Sequence, residues 1–201
     1  MTVYITSDLH FNHSKVMEQR GYTDLAKMNW DLIDFWNSKI TENDDVYYLG
    51  DFCFGDIDHT LKSYKIELPN GYVSCNDLLR HLRCRTLHFV IGNHDTSSKL
   101  KIYNNYGYTD KTIRFYSCLT YKVSEFEKVL FTHYPIHPYL FNEESREGVK
   151  KLGNVHGHIH FGTVNDSRYI NVNYDVCHKI YTLDEVLDYF NGDKDAGIQK
   201  N

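Results

Sequence analysis

The chain has 201 residues, 41% of them hydrophobic, only 3 prolines and a formal charge of −5. This composition excludes a disordered polymer, and the acidic balance argues against a protein that coats duplex nucleic acid. No apolar run approaches the roughly 18 residues needed to cross a bilayer, so no membrane partner is expected. The N-terminus has no basic stretch followed by a long apolar one, so it is not read as a signal peptide. The cysteines, Cys53, Cys75, Cys84, Cys118 and Cys177, are odd in number and lack CxxC spacing. They read as reduced thiols of a cytoplasmic protein and not as a thiolate metal site.

Val3 to Thr6 reads as a first strand, interior to its sheet, ending in Ser7-Asp8-Leu9-His10-Phe11-Asn12-His13. Ser14 is placed as the cap of a short helix to about Arg20, and Asn29 as the cap of a second from Trp30 to Ile40, with Trp30, Ile33, Trp36 or Asn37, and Ile40 on its buried face. Val46 to Leu49 is the second strand and stops at Gly50-Asp51-Phe52. Residues 53–85 read as an insertion or cap, with a helix from Ser74 to about Leu82. Leu87 to Ile91 is the third strand and stops at Gly92-Asn93-His94-Asp95. Alternation of strand and helix implies parallel pairing with right-handed crossovers.

The second half has shorter runs. Thr112 to Tyr116, Leu119 to Ser124 and Lys128 to Phe131 read as a largely antiparallel or mixed sheet, the last running into Thr132-His133-Tyr134-Pro135. A short helix is expected over Glu143 to Lys150, and a strand over Tyr169 to Val176. Thr182-Leu183-Asp184-Glu185 is a capping box for a helix to about Phe190. The expected organisation is one domain, residues 1–191, with a polar tail at 192–201.

Five strand ends thus carry polar side chains: Asp8 with His10, Asp51, Asn93 with His94, His133, and His158 with His160. Sites in parallel α/β sheets form outside the carboxyl ends of strands. Two-residue spacing lets both members of Asp8-x-His10 and of His158-x-His160 face one point. Gly50 and Gly92 let the backbone turn sharply before Asp51 and Asn93. Carboxylate, imidazole and amide oxygens suit Mn, Fe, Zn, Co or Ni. So many donors exceed one tetrahedral ion, which makes two ions the economical reading, with Asp51 as the bridging candidate. Two divalent ions bring four positive charges against the two of Asp8 and Asp51, so the site attracts phosphate.

The order Asp8-x-His10, Gly50-Asp51, Gly92-Asn93-His94-Asp95, His133, Gly157-His158-x-His160 resembles the calcineurin-like metallophosphoesterase superfamily, and its compact form is similar to small bacterial and phage members. The resemblance implies a four-layer αββα sandwich with two mixed sheets and a dimetal site at the strand tips. It implies that Asp8, His10 and His160 hold one ion, Asn93, His133 and His158 the other, and that Asp51 bridges them. Manganese leads among the ions expected. The implied activity is hydrolysis of a small phosphodiester or nucleotide by a bridging hydroxide, with His94 giving a proton to the leaving group.

Many members of that superfamily have a second acid three residues after the bridging aspartate; here that position is Phe54. Asp95 or Asp56 is left to hold the His94 ring, or the ring is held loosely. Asn12 and His13 either reach a substrate phosphate or belong to the turn, and His137 lines the mouth. Arg80, Arg83, Arg85, Lys99 and Lys101 form a solvated face or a rim for nucleotide. The alternatives are a phosphomonoesterase or nuclease of the same fold, nucleic acid being the less favoured partner, and a non-catalytic protein-binding scaffold.

Overall fold

The computed structural model describes residues 1–54, 70–104, 111–125, 127–142 and 150–192. Strands β1 (Val3–Thr6), β2 (Asp45–Tyr48), β3 (Thr86–Val90) and β4 (Thr112–Tyr116) run parallel, and β9 (Tyr181–Thr182) adds antiparallel to β1. The order is β4-β3-β2-β1-β9, so β1 is interior as expected. A second sheet has the order β5-β6-β7-β8, built from Leu119–Lys122, Glu127–Thr132, Lys150–His156 and Tyr169–Asn171. β5 is antiparallel to β6, and β6, β7 and β8 are mutually parallel.

Strand alternation sorts the core into two slabs. Val46, Tyr48, Leu87 and Phe89 point at the helices α1 (Ser14–Gln19), α2 (Leu25–Asn37) and α3 (Cys75–His81). Ile5, Leu49 and Val90 point the other way, onto Val129, Phe131, Val155 and Ile170 of the second sheet. The far face of that sheet carries α5 (Tyr139–Asn142), whose Phe141 packs on Tyr169. Helix, sheet, sheet and helix are therefore stacked as four layers. The last helix, α7 (Leu183–Phe190), opens with the capping box of Thr182 and Glu185 and wedges Phe190 against Gly153 of β7. Among the described residues no helix is long and apolar enough to cross a membrane.

Several local expectations change. β4 joins the first sheet, because α4 (Ser97–Asn104) supplies a crossover that the sequence reading left out. Asp24, not Asn29, caps α2, accepting from the Ala26 and Lys27 amides; Asn29 is buried inside the helix. Trp30 is 42% exposed and meets His81 edge-on, so the buried face is Leu25, Met28, Leu32, Ile33 and Trp36. His13 caps α1 and Ser14 is its first residue. The strand from Tyr169 stops at Asn171 and is followed by α6 (Tyr174–Cys177). Of the segment 53–85, residues 55–69 lie outside the described residues, while α3 buries Leu78 and Leu79 in the core and so belongs to the helical layer. The helix expected at 143–150 also falls outside them, apart from Lys150, which begins β7.

Candidate metal centre

The parallel pairing of β1 and β2 continues past both strands. Asp8, His10 and Phe11 donate their amides to the carbonyls of Gly50, Asp51 and Phe52. The Tyr48 hydroxyl accepts from the Leu9 amide and donates to the Asp51 carbonyl. Two tips are thereby zipped together with their side chains directed at one point. The geometry needs backbone that L-residues rarely adopt: Asp8, His10, Asn12, Asp51 and His158 have φ of 58°, 49°, 63°, 57° and 65°. Such positions cost about 1–3 kcal/mol each and cluster where function over-determines them. A Cβ on Gly92 would lie 2.3 Å from Asp51 Oδ1, and one on Gly157 would lie 2.2 Å from Asp8 Oδ2. Both glycines let backbone approach a carboxylate closely.

Two donor groups result. Asp8, His10 and His160 form the first: His10 Nε2 and His160 Nε2 are 3.1 Å apart, and lie 3.7 and 3.6 Å from Asp8 Oδ1. Asp51, His133 and His158 form the second, and Asn93 Oδ1 lies 2.9 Å from His133 Nε2. Asp51 Oδ2 stands between the groups, 3.7 Å from His10 Nε2 and 3.4 Å from His133 Nε2. Its other oxygen accepts the His94 amide at 2.8 Å. All seven residues expected as ligands are brought together, and His94 sits beside them, its ring 5.3 Å from that of His10 between centroids.

The outer nitrogens of two of these histidines are also tied down, while His10 Nδ1 is buried without a partner among the described residues. His160 Nδ1 is 2.7 Å from Asp175 Oδ2, and Arg20 donates to both Asp175 oxygens and to the carbonyls of Asp8 and Leu9. His133 Nδ1 donates to the Leu49 carbonyl at 2.8 Å. Both rings therefore turn Nε2 inward as an acceptor, as the carboxylate or carbonyl behind a ligating histidine does. Sequence reasoning missed Arg20 and Asp175, which are 155 residues apart.

Burial pushes the Asp51 carboxyl up, but the His133 ring and the His94 amide outweigh it and hold it at about 2. Asp175, likewise opposed by burial, is drawn to about 2 by His160 and Arg20. Burial lowers His133 and His160, yet Asp51 and Asp175 respectively raise both above the usual histidine range. Burial lowers His94, only partly offset by Asp51. His13 falls to about 4 through burial and its neighbours His10 and His94.

The remaining expected residues divide. Asn12 does not face the centre: it is 3% exposed, and its amide is spent on Asn29 and on the Val73 backbone. His13 does, forming a third imidazole group with His10 and His94. His137 is exposed and accepts the Tyr139 amide at the start of α5. His156 is buried, its Nδ1 on the Gly157 carbonyl, outside both groups. Asp95 does not hold the His94 ring, because its carboxylate accepts the amides of Gly92, Asp51 and Phe52. Asp56 lies outside the described residues.

Two face-to-face mixed sheets with carboxylates and imidazoles gathered at their tips define a class, the metal-dependent hydrolases of α/β-sandwich fold. The model of the calcineurin-like phosphoesterase family matches residues 1–193, and the chain belongs to that family. It is 25% identical over 172 residues to MJ1445, an uncharacterized protein of Methanocaldococcus jannaschii, covering 84% of this chain and 75% of that one. Among solved structures it is similar to AQ665, a protein of unknown function from Aquifex aeolicus, with TM-score 0.61 and 21% identity over 93% of this chain and 98% of the other. That likeness speaks for the fold. Family and donor groups together define a metal-dependent phosphoesterase.

Proposed function

We propose that the chain hydrolyses a small phosphodiester or nucleotide at a two-metal centre within one domain of residues 1–191. Asp8, His10 and His160 would hold one ion and Asn93, His133 and His158 the other, with Asp51 placed to serve both. The observation that carries this reading is Asp51 Oδ2 standing between His10 and His133 of the two donor groups. The donors fit divalent ions on chemistry as well: buried carboxylates, an amide oxygen and imidazoles whose inward nitrogens are acceptors. Manganese heads the set, followed by iron, nickel, zinc and cobalt. When bound, such ions supply Lewis acidity that activates water and offsets charge on the phosphoryl oxygens.

The chain's own groups do the rest. His94 donates its ring proton to the leaving oxygen as the P–O bond breaks. His13 accepts the Val16 amide on Nδ1, so its neutral ring carries the proton on Nε2 and offers a donor to a phosphoryl oxygen. Two exposed aromatic residues flank the centre. Phe54, 44% exposed, packs at a tilt with its centroid 4.2 Å from that of the His13 ring, and Tyr134, 50% exposed, lies 4.4 Å from the His158 ring. A phosphate between two flat faces suits a substrate with a flat group on either ester oxygen, which favours a diester or nucleotide over a simple monoester. Five free cysteines fit a cytoplasmic setting.

The test is metal-stripped protein given Mn, Ni, Zn or Mg in turn and offered para-nitrophenyl phosphate beside its bis-ester. Bis-ester hydrolysis restored by Mn or Ni is expected. Monoester hydrolysis alone would replace the reading with a phosphatase. Two ions bound per chain without hydrolysis of either would replace it with a scaffold. On a diester whose leaving group needs a proton, such as diphenyl phosphate, His94→Ala should keep both ions and lose about 10²-fold or more in turnover; loss of metal with activity would count against its donor role.

A further inference from the structure

Lys99 breaks the rule for its residue type. It is 4% exposed on α4, and its Nζ donates to the Cys53 carbonyl at 2.6 Å and the His94 carbonyl at 2.5 Å. The sequence reading put it on a solvated face or a basic rim; the side chain points inward instead. Taking an ammonium out of water is expensive, and a lysine with only a packing task would leave its head in solvent.

The two carbonyls belong to different strand tips. Cys53 lies two residues beyond Asp51, and His94 follows Asn93. Asp95 grips the same two tips with opposite charge, its carboxylate accepting from Gly92, Asp51 and Phe52 at 2.8, 2.7 and 3.2 Å. One cation on carbonyls and one anion on amides tie the end of β2 to the end of β3 by charge-assisted bonds. Among the described residues no hydrogen bond ends on the His94 ring. It is bounded by the rings of His10, His13 and Phe54, at centroid distances of 5.3, 5.7 and 6.1 Å. Its position is therefore inherited from its backbone, whose N–H is held by Asp51 and whose carbonyl is held by Lys99.

We infer that Lys99 is a positioning residue for the reaction: it aims the His94 imidazole by fixing that residue's carbonyl to the neighbouring tip. Among the described residues this takes the place of a carboxylate on the ring itself, since Phe54 stands where such a group would be and Asp95 is fully used. The inference rests on His94 being the proton donor to the leaving oxygen. A misplacement of about 1 Å at such a group can cost about 10²-fold in rate.

The experiment compares bis(para-nitrophenyl) phosphate, whose leaving group departs without a proton, with diphenyl phosphate, whose leaving group needs one. Wild type, His94→Ala, Lys99→Met and Lys99→Gln are assayed on both with Mn, alongside ion content and thermal midpoint. Lys99→Met should lose about 10- to 100-fold in kcat on the diphenyl ester and less than about threefold on the nitrophenyl ester, with KM and ion content kept. Lys99→Gln, which can reach one carbonyl but not two, should show the same asymmetry at smaller size, and decides the matter if Lys99→Met does not fold. Equal losses on both esters, or none on either, would overturn the inference. If His94→Ala is asymmetric and the Lys99 variants are not, only the role of Lys99 falls. If His94→Ala is itself symmetric, the donor reading of His94 falls and takes this inference with it.

Discussion

The two halves of the centre share Asp51 but are braced by different means. In the half made by Asp8, His10 and His160, the outer nitrogen of His160 rests on the Asp175 carboxylate, and Arg20 holds that carboxylate from behind. In the half made by Asn93, His133 and His158, the outer nitrogen of His133 rests on the neutral Leu49 carbonyl, and Asn93 contributes a neutral amide. The first half has a carboxylate of its own and an ionised brace; the second has only its share of Asp51. Negative charge close to a cation site dominates its affinity in a low-dielectric setting. If the two groups hold ions as proposed, the two positions would therefore be unequal, with the Asn93 side the weaker.

The strongest challenge to that contrast is Asp51→Asn, which acts on both halves at once. Turnover should fall on the order of 10³-fold, by analogy with loss of a major electrostatic group, and both ions should bind more weakly by calorimetry. Loss of one ion alone would mean the carboxylate is not shared. Asp175→Asn should weaken one ion by about 10- to 100-fold and leave the other nearly untouched. In the wild type, graded chelation should release an ion from the Asn93 side first.

Acid offers a metal-free version of the same comparison. The folded Asp175 carboxyl is held at about 2, below its ordinary 3.8. A depressed carboxylate contributes stability that is present above its unfolded value and is lost as pH falls through the folded one. Asp175 should therefore supply at most about 2.5 kcal/mol, at 1.36 kcal/mol per pH unit, of the stability that urea unfolding of metal-free protein loses between pH 4 and pH 2, and Asp175→Asn should shrink that loss while the share of Asp51, also held at about 2, remains. The smallest effect is expected at the rim. Tyr134→Ala should raise KM about fivefold for a diester carrying a nucleoside, as for one lost stacking contact, and leave a methyl ester unchanged.

How much of this was legible in the sequence follows from how local each signal is. An apolar strand that turns abruptly into polar residues, at a glycine before Asp51 and Asn93, is a short-range pattern, so the tips bearing Asp8, Asp51, Asn93 and His133 could be read directly, as could the capping box at Thr182. The supporting residues could not. Arg20 ends a short helix and Asp175 begins another, and nothing near either announces a partner 155 positions away. Lys99 lies in a helix of weak amphipathicity, which is why both the helix and the buried ammonium escaped notice and β4 was put in the wrong sheet. Asn12 misled for the opposite reason: it follows the ligand pair directly, but left-handed backbone turns its amide to Asn29 and Val73.

The bond between Arg20 and Asp175 also fixes an order of events during synthesis. A ribosome that has made the first hundred residues has released Asp8, His10, Asp51 and Asn93, but not the strand, histidine pair or acid that complete the first half. Contacts of such long sequence separation form late, because closing the intervening loop is costly until the rest of the fold rewards it. The β9 pairing with β1, which joins Tyr4 to Thr182, delays it further. The nascent chain is thus expected to lack the completed first group, and any ion held there to be taken up only after the whole chain has folded.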